Sequence, residues 1–228
     1  MAPEPLLIVG AGGFGRETAE VVRAVNAAAD RPRWDLLGFL DDDPTRWGAA
    51  VSGTTVVGPI DSAGDTPAAR VVVCTGNPRN YTSKAAIVRR LGSDPGRYAT
   101  VVHPAASLAG SCRVREGSVV LAGVVATADV TVGAHVGLMP QVVLTHDVAV
   151  GDYVLAGSGV RLAGGVTVGD GAYLGAGCLV REGVHVGAWA LVGMGAAVTR
   201  DVPPAEVWAG VPARFLRSVD LPHEVLSP

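Results

Sequence analysis

The chain is poor in aromatic and charged residues, and it contains no long apolar run. Aromatic residues make up 5% and charged residues 17% of its 228 residues. No apolar run reaches the roughly 18 residues that a transmembrane helix requires, so we expect no membrane span. A formal net charge of −3 gives no electrostatic reason to expect a nucleic-acid partner. Lysine occurs once whereas arginine is frequent. We attribute this bias to the base composition of the genome rather than to function.

Cysteine is equally scarce and does not indicate a disulfide framework. Cys74, Cys112 and Cys178 are odd in number and far apart in sequence. The first residues lack the basic segment of a signal peptide and lead directly into a glycine-rich loop. Histidines and cysteines form no metal-binding spacing, so the sequence predicts no metal. We therefore expect a cytoplasmic protein without a metal site.

Small aliphatic residues and glycine are abundant, and they follow a sixfold repeat. From Val102 to Val198 every sixth residue is aliphatic or alanine, and a second small residue usually follows four places later. A helix repeats every 3.6 residues and a strand every two, so neither explains this series. A solenoid does, in which three hexads close a triangular coil of short parallel strands. Sixteen hexads predict about five coils, with Cys112 and Cys178 among the inward residues.

Glycine often follows the first aliphatic residue of a hexad. We expect these glycines to take the tight corners of the coil, where φ can be positive. They are Gly133, Gly151, Gly157, Gly169, Gly175, Gly187 and Gly193.

The first hundred residues follow a different pattern, which is typical of a small parallel α/β unit. Strands are predicted at residues 5–9, 34–40 and 70–74, and helices at 14–28 and 80–91. We therefore divide the chain into a Rossmann-like α/β domain (1–100), an all-β parallel β-helix (101–217) and a C-terminal tail (218–228).

A glycine motif in the α/β domain predicts a nucleotide site. Gly10, Gly12 and Gly15 follow a strand and open a helix, where free N–H groups and the helix dipole favour a phosphate. Asp41 and Asp42 end the next strand and fit a ribose or base contact. The alternative is a tight turn with no ligand. Because the α/β segment is too short for a second mononucleotide-binding half, it favours a nucleotide-linked sugar over a dinucleotide.

The β-helix contributes a candidate catalytic histidine. His146 comes two places after the inward Leu144, so its side chain is expected to point outward, and Asp147 directly follows. A carboxylate beside a histidine is a common arrangement for a general base near neutral pH. The alternative is a solvated surface pair. His135 and His185 lack an adjacent acid and are interpreted as surface or interface groups.

Three sequence features together resemble a known family. They are the segment Gly10 to Glu17, the segment Phe39 to Asp43, and the hexapeptide series with its closing Gly210 to Arg214. These features are similar to the sugar O- and N-acyltransferases of the sialic-acid and bacillosamine type, over residues 5–217. The resemblance implies a left-handed β-helix homotrimer with acyl-CoA, most simply acetyl-CoA, bound between neighbouring solenoids. It also implies a nucleotide sugar, most simply a UDP-amino sugar, on the N-terminal domain.

The resemblance also implies roles for individual residues. His146 is similar to the family's catalytic base and Asp147 to its acidic partner. Gly164 matches a position whose N–H contacts the acyl carbonyl. The acyl-CoA positions are Leu155, Gly164, Gly210, Pro212 and Arg214, and the nucleotide-sugar positions are Gly10, Gly12, Gly13, Asp41, Asp42, Gly76 and Asn77.

Leu155 departs from the family pattern, because many relatives carry a second histidine at this position. The substitution leaves open a larger acyl group or a slower, repurposed enzyme. The function implied is N-acylation of a nucleotide-linked amino sugar in bacterial glycan biosynthesis, with His146 as the base. O-acetylation of sialic acid or another glycan precursor, and a non-catalytic nucleotide-sugar-binding protein, remain as alternatives.

Overall fold

A computed structural model describes residues 2–221 of the chain. The N-terminal part contains a five-stranded sheet and two helices. The strands are β1 (Glu4–Val9), β2 (Trp34–Leu40), β3 (Ala50–Val51), β4 (Thr54–Gly58) and β5 (Arg70–Val73), and the helices are α1 (Gly13–Ala28) and α2 (Ser83–Leu91). Short 3-10 turns lie at Pro44–Arg46, Ile60–Asp65 and Pro95–Arg97.

The sheet has the order β3-β4-β2-β1-β5, and all its pairs are parallel except β3 with β4. Alternation along β1 separates two cores. Leu6 and Ile8 pack with α1, whereas Leu7 and Val9 pack on the other face with Val88 of α2. Helix α2 begins three residues later than predicted, because the preceding residues form turns. The short β3 and β4 were not predicted, although Thr54 to Val57 is a β-branched run between Gly53 and Gly58.

The second part of the chain is a solenoid of two-residue strands that repeat every six residues. The strands are β6 (Val101–Val102), β7 (Ser107–Leu108), β8 (Arg113–Val114), β9 (Val119–Val120), β10 (Val125–Ala126), β11 (Thr131–Val132), β12 (Gly137–Leu138), β13 (Val143–Leu144), β14 (Ala149–Val150), β15 (Leu155–Ala156), β16 (Arg161–Leu162), β17 (Thr167–Val168), β18 (Tyr173–Leu174), β19 (Leu179–Val180), β20 (His185–Val186), β21 (Leu191–Val192) and β22 (Ala197–Val198). Each strand pairs in parallel with the strand eighteen residues away, so three hexads make one coil.

These strands form three faces, which meet at three edges. The first face contains β6, β9, β12, β15, β18 and β21, the second β7, β10, β13, β16, β19 and β22, and the third β8, β11, β14, β17 and β20. The two inward series predicted from the sixfold repeat form one continuous core. Cys178 is fully buried in it, and burial raises the pKa of its thiol to about 12. Cys112 is only partly buried, since it lies near the open first coil.

The predicted reason for the seven corner glycines is wrong, since none of them has a positive φ. They are required instead because the next coil approaches closely. A Cβ on Gly157 would lie 2.7 Å from the Ala176 nitrogen, and a Cβ on Gly169 would lie 2.5 Å from the Ala188 nitrogen. No real Cβ contact is that short.

Positive φ recurs at a different place, every six residues from Gly117 to Gly195 and three residues before each first inward residue. Most of these positions are glycine, but six carry side chains, which project from the edges of the solenoid. They are Asp129, His135, Gln141, Asp147, Tyr153 and Trp189. Left-handed backbone is costly for an ordinary side chain, so these six residues are candidates for a role beyond the fold.

An antiparallel hairpin closes the C-terminal end of the solenoid. It consists of β23 (Glu206–Ala209) and β24 (Arg214–Ser218), and β23 continues the first face beside β21. Trp208 is buried against the last coil, and the Arg200 guanidinium lies 5.0 Å from its ring centroid. The hairpin thus covers core residues that the final coil leaves open. Most of the predicted tail, including His223, lies outside the described residues.

The α/β domain packs on the first face and on the edge where the third face joins it. His135 is buried there between two tyrosines, with Tyr98 edge-on at 4.5 Å and Tyr153 stacked at 5.3 Å. The single lysine, Lys84, is buried beside it and donates a 2.9 Å hydrogen bond to the His135 carbonyl. A surface position for His135 is therefore wrong, and the residue belongs to the domain interface.

Burial controls the ionisation of this interface. It lowers the pKa of His135 to about 4, with a further contribution from the Lys84 ammonium, and it lowers the pKa of Lys84 to about 8. The His135 Nδ1 has no hydrogen-bond partner within residues 2–221. No helix in that range is long and apolar enough to cross a membrane.

Candidate active site and nucleotide cleft

His146 and Asp147 form a pair on the edge between the second and third faces. They lie in the turn from β13 to β14, where Asp147 takes the positive-φ position and its N–H donates to the Ala128 carbonyl. The imidazole Nδ1 is 2.8 Å from an Asp147 carboxylate oxygen, and both side chains are largely exposed. With Nδ1–H donating to this carboxylate, the Nε2 lone pair is available to accept a proton.

Gly164 lies one coil beyond His146 at the same position of the edge. A Cβ on Gly164 would be 2.4 Å from both Cε1 and Nε2 of His146, so the ring rests against the glycine backbone. Within the described residues no acceptor takes the Gly164 N–H, which is therefore available to a ligand. The glycine thus leaves room for the imidazole and presents an N–H beside it.

The glycine-rich loop from β1 to α1 forms one wall of a cleft. Gly10 has φ +100°, and a Cβ there would lie 2.8 Å from the Cys74 carbonyl oxygen. A Cβ on Gly15 would collide with the Gly10 carbonyl, whereas Gly12 and Gly13 face open space. No side chain caps α1 at Gly12. The first turn of α1 therefore presents N–H groups to the cleft, as an anion site requires.

Asp41 holds this loop in place. One of its carboxylate oxygens accepts a 2.9 Å hydrogen bond from the Ala11 N–H, and the other accepts from the Asp43 N–H at 3.0 Å. The Arg46 guanidinium lies 3.6 Å from the same carboxylate. Asp41 thus connects the β1–α1 loop to the end of β2, at the carboxyl ends of the parallel strands.

The structure corrects the expectation for Asp42, which does not line the cleft. Its carboxylate accepts from the Ile60 N–H and pairs with Arg90, and the Arg90 contact lowers the pKa of Asp42. Asp43 and Arg46 line the cleft instead, and the sequence does not predict either of them as a site residue. Successive residues at the end of a strand point in opposite directions, so one of two adjacent aspartates must turn away.

The cleft has a volume of about 570 Å³. Its opposite wall is the loop after β5, and it brings together Gly10, Gly12, Gly13, Asp41, Gly76 and Asn77 of the predicted nucleotide set. The Thr75 hydroxyl is buried beside this loop and has no hydrogen-bond partner within residues 2–221. The volume and the mixture of backbone N–H groups and carboxylates suit a nucleotide.

A second cavity of about 330 Å³ continues from this cleft between the two domains. Gly13, Phe14, Gly76 and Asn77 line both spaces, and Glu17 also borders the second one. The solenoid contributes mainly apolar side chains from its first face, namely Met139, Leu155 and Tyr173. We refer to this space as the inter-domain cavity.

Leu155 therefore lies on a different face from His146 within one chain. It is buried against Phe14 and Gly76 of the α/β domain. His146 and Gly164 lie on the edge between the second and third faces. Within one chain, Leu155 and His146 therefore do not lie in the same site.

Gly210, Pro212 and Arg214 lie at the turn of the C-terminal hairpin. The Gly210 carbonyl accepts from the Ala197 N–H, and the Val211–Pro212 peptide bond is cis. Ala197 begins β22, which is three coils beyond β13 on the second face. At about 4.8 Å per coil, this turn is roughly 14 Å along the axis from the coil of His146. Within residues 2–221 no cluster of histidine, cysteine or acidic residues could hold a metal ion.

Comparisons with known proteins agree with both halves of this description. Residues 5–83 match the PglD N-terminal domain family, and residues 147–182 match the bacterial transferase hexapeptide family. Residues 165–200 match the hexapeptide repeat of succinyl-transferase. No curated protein sequence matches the chain.

Solved structures match over almost the whole chain. GDP-perosamine N-acetyltransferase from Caulobacter crescentus, solved with CoA and GDP-perosamine, is 32% identical, with 94% of this chain and 97% of that chain covered and a TM-score of 0.80. The acetyltransferase domain of PglB from Neisseria gonorrhoeae FA1090, solved with acetyl coenzyme A, is 26% identical, with 94% and 100% covered and a TM-score of 0.80. WeeI from Acinetobacter baumannii AYE is 25% identical, with 92% and 99% covered and a TM-score of 0.78. The chain therefore belongs to the family of hexapeptide-repeat sugar acyltransferases, which join an α/β domain to a left-handed parallel β-helix.

Proposed function

We propose that the protein transfers an acyl group, most simply acetyl, from acyl-CoA to the amine of a nucleotide-linked amino sugar in glycan biosynthesis. The observation that carries the proposal is the His146–Asp147 pair, with Nε2 open and the Gly164 N–H beside it. The 32% identical relative crystallised with CoA and GDP-perosamine supports the substrate classes. The three free cysteines support a cytoplasmic location, where thiols stay reduced.

The proposed reaction is a direct transfer. The sugar nitrogen attacks the thioester carbonyl carbon while the His146 Nε2 takes a proton from it. The N–C bond forms, the C–S bond breaks, and the leaving CoA thiolate takes the proton from the His146 imidazolium. Asp147 stabilises the imidazolium, and the Gly164 N–H is placed to donate to the oxyanion.

We propose that a second copy of the chain completes the site, as part of a homotrimer. Within one chain the nucleotide cleft opens toward the first face, whereas His146 lies on the edge between the other two faces. A neighbouring solenoid whose His146 edge meets the inter-domain cavity would bring base and sugar together. In the same arrangement Leu155 would face the reacting acyl group, and Gly210, Pro212 and Arg214 would lie along the CoA.

The nucleotide is proposed to lie in the cleft, with its diphosphate at Gly10, Gly12 and Gly13 and its ribose or base near Asp41. Gly76 and Asn77 would contact the diphosphate–sugar junction, because they border both the cleft and the inter-domain cavity. We propose UDP as the carrier from the sequence resemblance, and the relative that binds GDP-perosamine makes GDP the competing choice.

An acceptor panel tests the function. Acetyl-CoA is incubated with GDP-perosamine, a UDP-linked amino sugar, and hydroxyl counterparts of both, and thiol release and product mass are measured. The proposal requires CoA release and an N-acetylated product with at least one amine. Release only with hydroxyl acceptors would establish the O-acylation alternative, and tight binding with no turnover would establish a binding protein.

The His146→Ala variant tests the base, with His185→Ala as its control. His185 is an exposed histidine of the third face whose ring contacts Thr167. We expect a loss in kcat of about 10²–10⁴-fold for His146→Ala and no loss for His185→Ala. Wild-type turnover by His146→Ala would refute the assignment.

Mixed oligomers test the shared site. His146→Ala and Asp41→Ala chains are co-expressed with different tags, and oligomers carrying both tags are purified. If one copy supplies the base and another the cleft, the mixed species exceed the activity of both parents at a sugar concentration below KM, where Asp41→Ala binds its substrate poorly. Mixed trimers whose activity lies between those of the two parents would show that each chain uses its own histidine.

A further inference from the structure

Among the described residues that line the inter-domain cavity, Glu17 is the only one that carries a charge. It lies on α1, one turn after Gly13, and the other walls are backbone, apolar side chains and the neutral polar groups of Asn77, Ser158 and Tyr173. Within residues 2–221 its carboxylate has no ion pair or hydrogen bond. The next acidic residue of the same helix, Glu20, is paired with Arg23.

A carboxylate in this place opposes the binding of a simple anion. Residues four apart on a helix have Cβ positions about 6 Å from each other, so Glu17 shares a face with the first turn of α1. That turn is the anion site of the cleft, and a nearby negative charge weakens any ligand that brings only a diphosphate. The cost is offset when the same ligand carries a positive charge into the inter-domain cavity.

Continuity between the two spaces determines where such a charge would lie. From a diphosphate bound at Gly13, the ligand would extend past Phe14, Gly76 and Asn77, which line both spaces, into the inter-domain cavity. The group attached to the diphosphate is therefore the part of the ligand that meets Glu17. An amine on a sugar ring titrates near the range of α-amino groups, about 8, so it is largely an ammonium at neutral pH.

We propose that Glu17 is the specificity residue that selects the ammonium group of the sugar, so that the pair of cavities recognises a ligand with an anionic diphosphate and a cationic amine. This inference rests on the proposed function and identifies the Glu17 carboxylate as the group that recognises the amino-sugar substrate. No bond forms or breaks at Glu17. The residue binds the protonated amine, which gives one proton to solvent water before the nitrogen attacks, and the second N–H proton passes to His146 during the attack.

Glu17→Gln gives a test in which two affinities change in opposite directions. Binding of GDP-perosamine, of its hydroxyl counterpart and of GDP alone is measured by calorimetry at pH 7, and the UDP ligands are used if the panel identifies UDP. For the amine ligand we expect Kd and KM to rise about three- to tenfold. For GDP alone and for the hydroxyl counterpart we expect affinity to stay equal or to increase.

Glu20→Gln is the matched control, because it makes the same chemical change on the same exposed helix outside both cavities. It should leave all three affinities unchanged. The pH dependence adds a second readout. Above pH 8 the amine loses its charge, so the difference between wild type and Glu17→Gln should shrink toward zero.

The outcomes separate this inference from the proposed function. If wild type acylates the amino sugar but Glu17→Gln binds it equally well, the inference is overturned and the function stands. Equal weakening of all three ligands would show a structural effect of the substitution and would also overturn it. If wild type neither binds nor acylates any ligand of the panel, the proposed function itself fails.

Discussion

The imidazole of His146 rests against the backbone of Gly164 in the next coil, where a Cβ would be 2.4 Å from two of its ring atoms. The contact links the proposed base to the N–H proposed to stabilise the oxyanion. Because stacked coils are held by parallel strand pairing, the contact is set by the solenoid rather than by a flexible loop.

Gly164→Ala should displace the His146 ring without unfolding the solenoid. A methyl group at this position cannot coexist with the ring where it now lies, and the exposed ring is free to move away. We expect kcat to fall about 10²-fold with little change in Tm. Gly110→Ala is the control, because Gly110 occupies the same edge position three coils earlier and nothing lies within 4 Å of its Cβ. Equal kcat in the two variants would count against the role of this contact.

Asp147→Asn should reduce activity while leaving the backbone intact. Asparagine tolerates the positive φ of 60° found at this position, so the turn should be preserved. The amide cannot stabilise the imidazolium, and we expect kcat to fall about 10- to 100-fold. Wild-type kcat in this variant would show that Asp147 is only a surface residue.

The two adjacent aspartates should differ in their effect on nucleotide binding. Asp41→Ala removes the acceptor of the Ala11 N–H and should loosen the β1–α1 loop, so we expect about a tenfold loss of affinity for the nucleoside diphosphate. Asp42→Ala breaks the exposed pair with Arg90 outside the cleft and should change affinity less than twofold. Calorimetric titration measures both, and a larger loss for Asp42→Ala would contradict the placement.

Acid should weaken the contact between the two domains through His135. Its pKa is lowered from 6.5 to about 4 in the folded protein, so the unfolded chain binds the proton first as pH falls. Stability is therefore full above pH 6.5 and decreases between pH 6.5 and 4, by up to about 3 kcal/mol.

His135→Asn tests this dependence, because asparagine accepts the positive φ and does not titrate. Urea unfolding is followed from pH 7 to 4. Wild type should lose stability more steeply than the variant over this interval, even if the variant is less stable at pH 7. Parallel curves for the two proteins would exclude His135 as the titrating group.

Composition and local pattern were sufficient for the architecture. The sixfold repeat of small aliphatic residues predicts the inward series of the solenoid, because only a triangular coil buries every sixth residue. The alternation of strands and helices predicts the α/β domain, and the position of His146 between inward residues predicts that its ring points outward.

Contacts between distant residues were decided by the tertiary structure alone. The sequence predicts the same role for Asp41 and Asp42. In the structure Asp41 points into the cleft and Asp42 points toward Arg90, because successive side chains of a strand alternate in direction. His135 becomes buried only because the α/β domain packs against its edge of the solenoid. Glu17 closes the Gly10 to Glu17 segment in the sequence, but only the packing of α1 on the first face places it at the wall of a cavity. The periodicity of the sequence predicts the direction in which a side chain points. The residue that it contacts depends on how distant segments of the chain pack together.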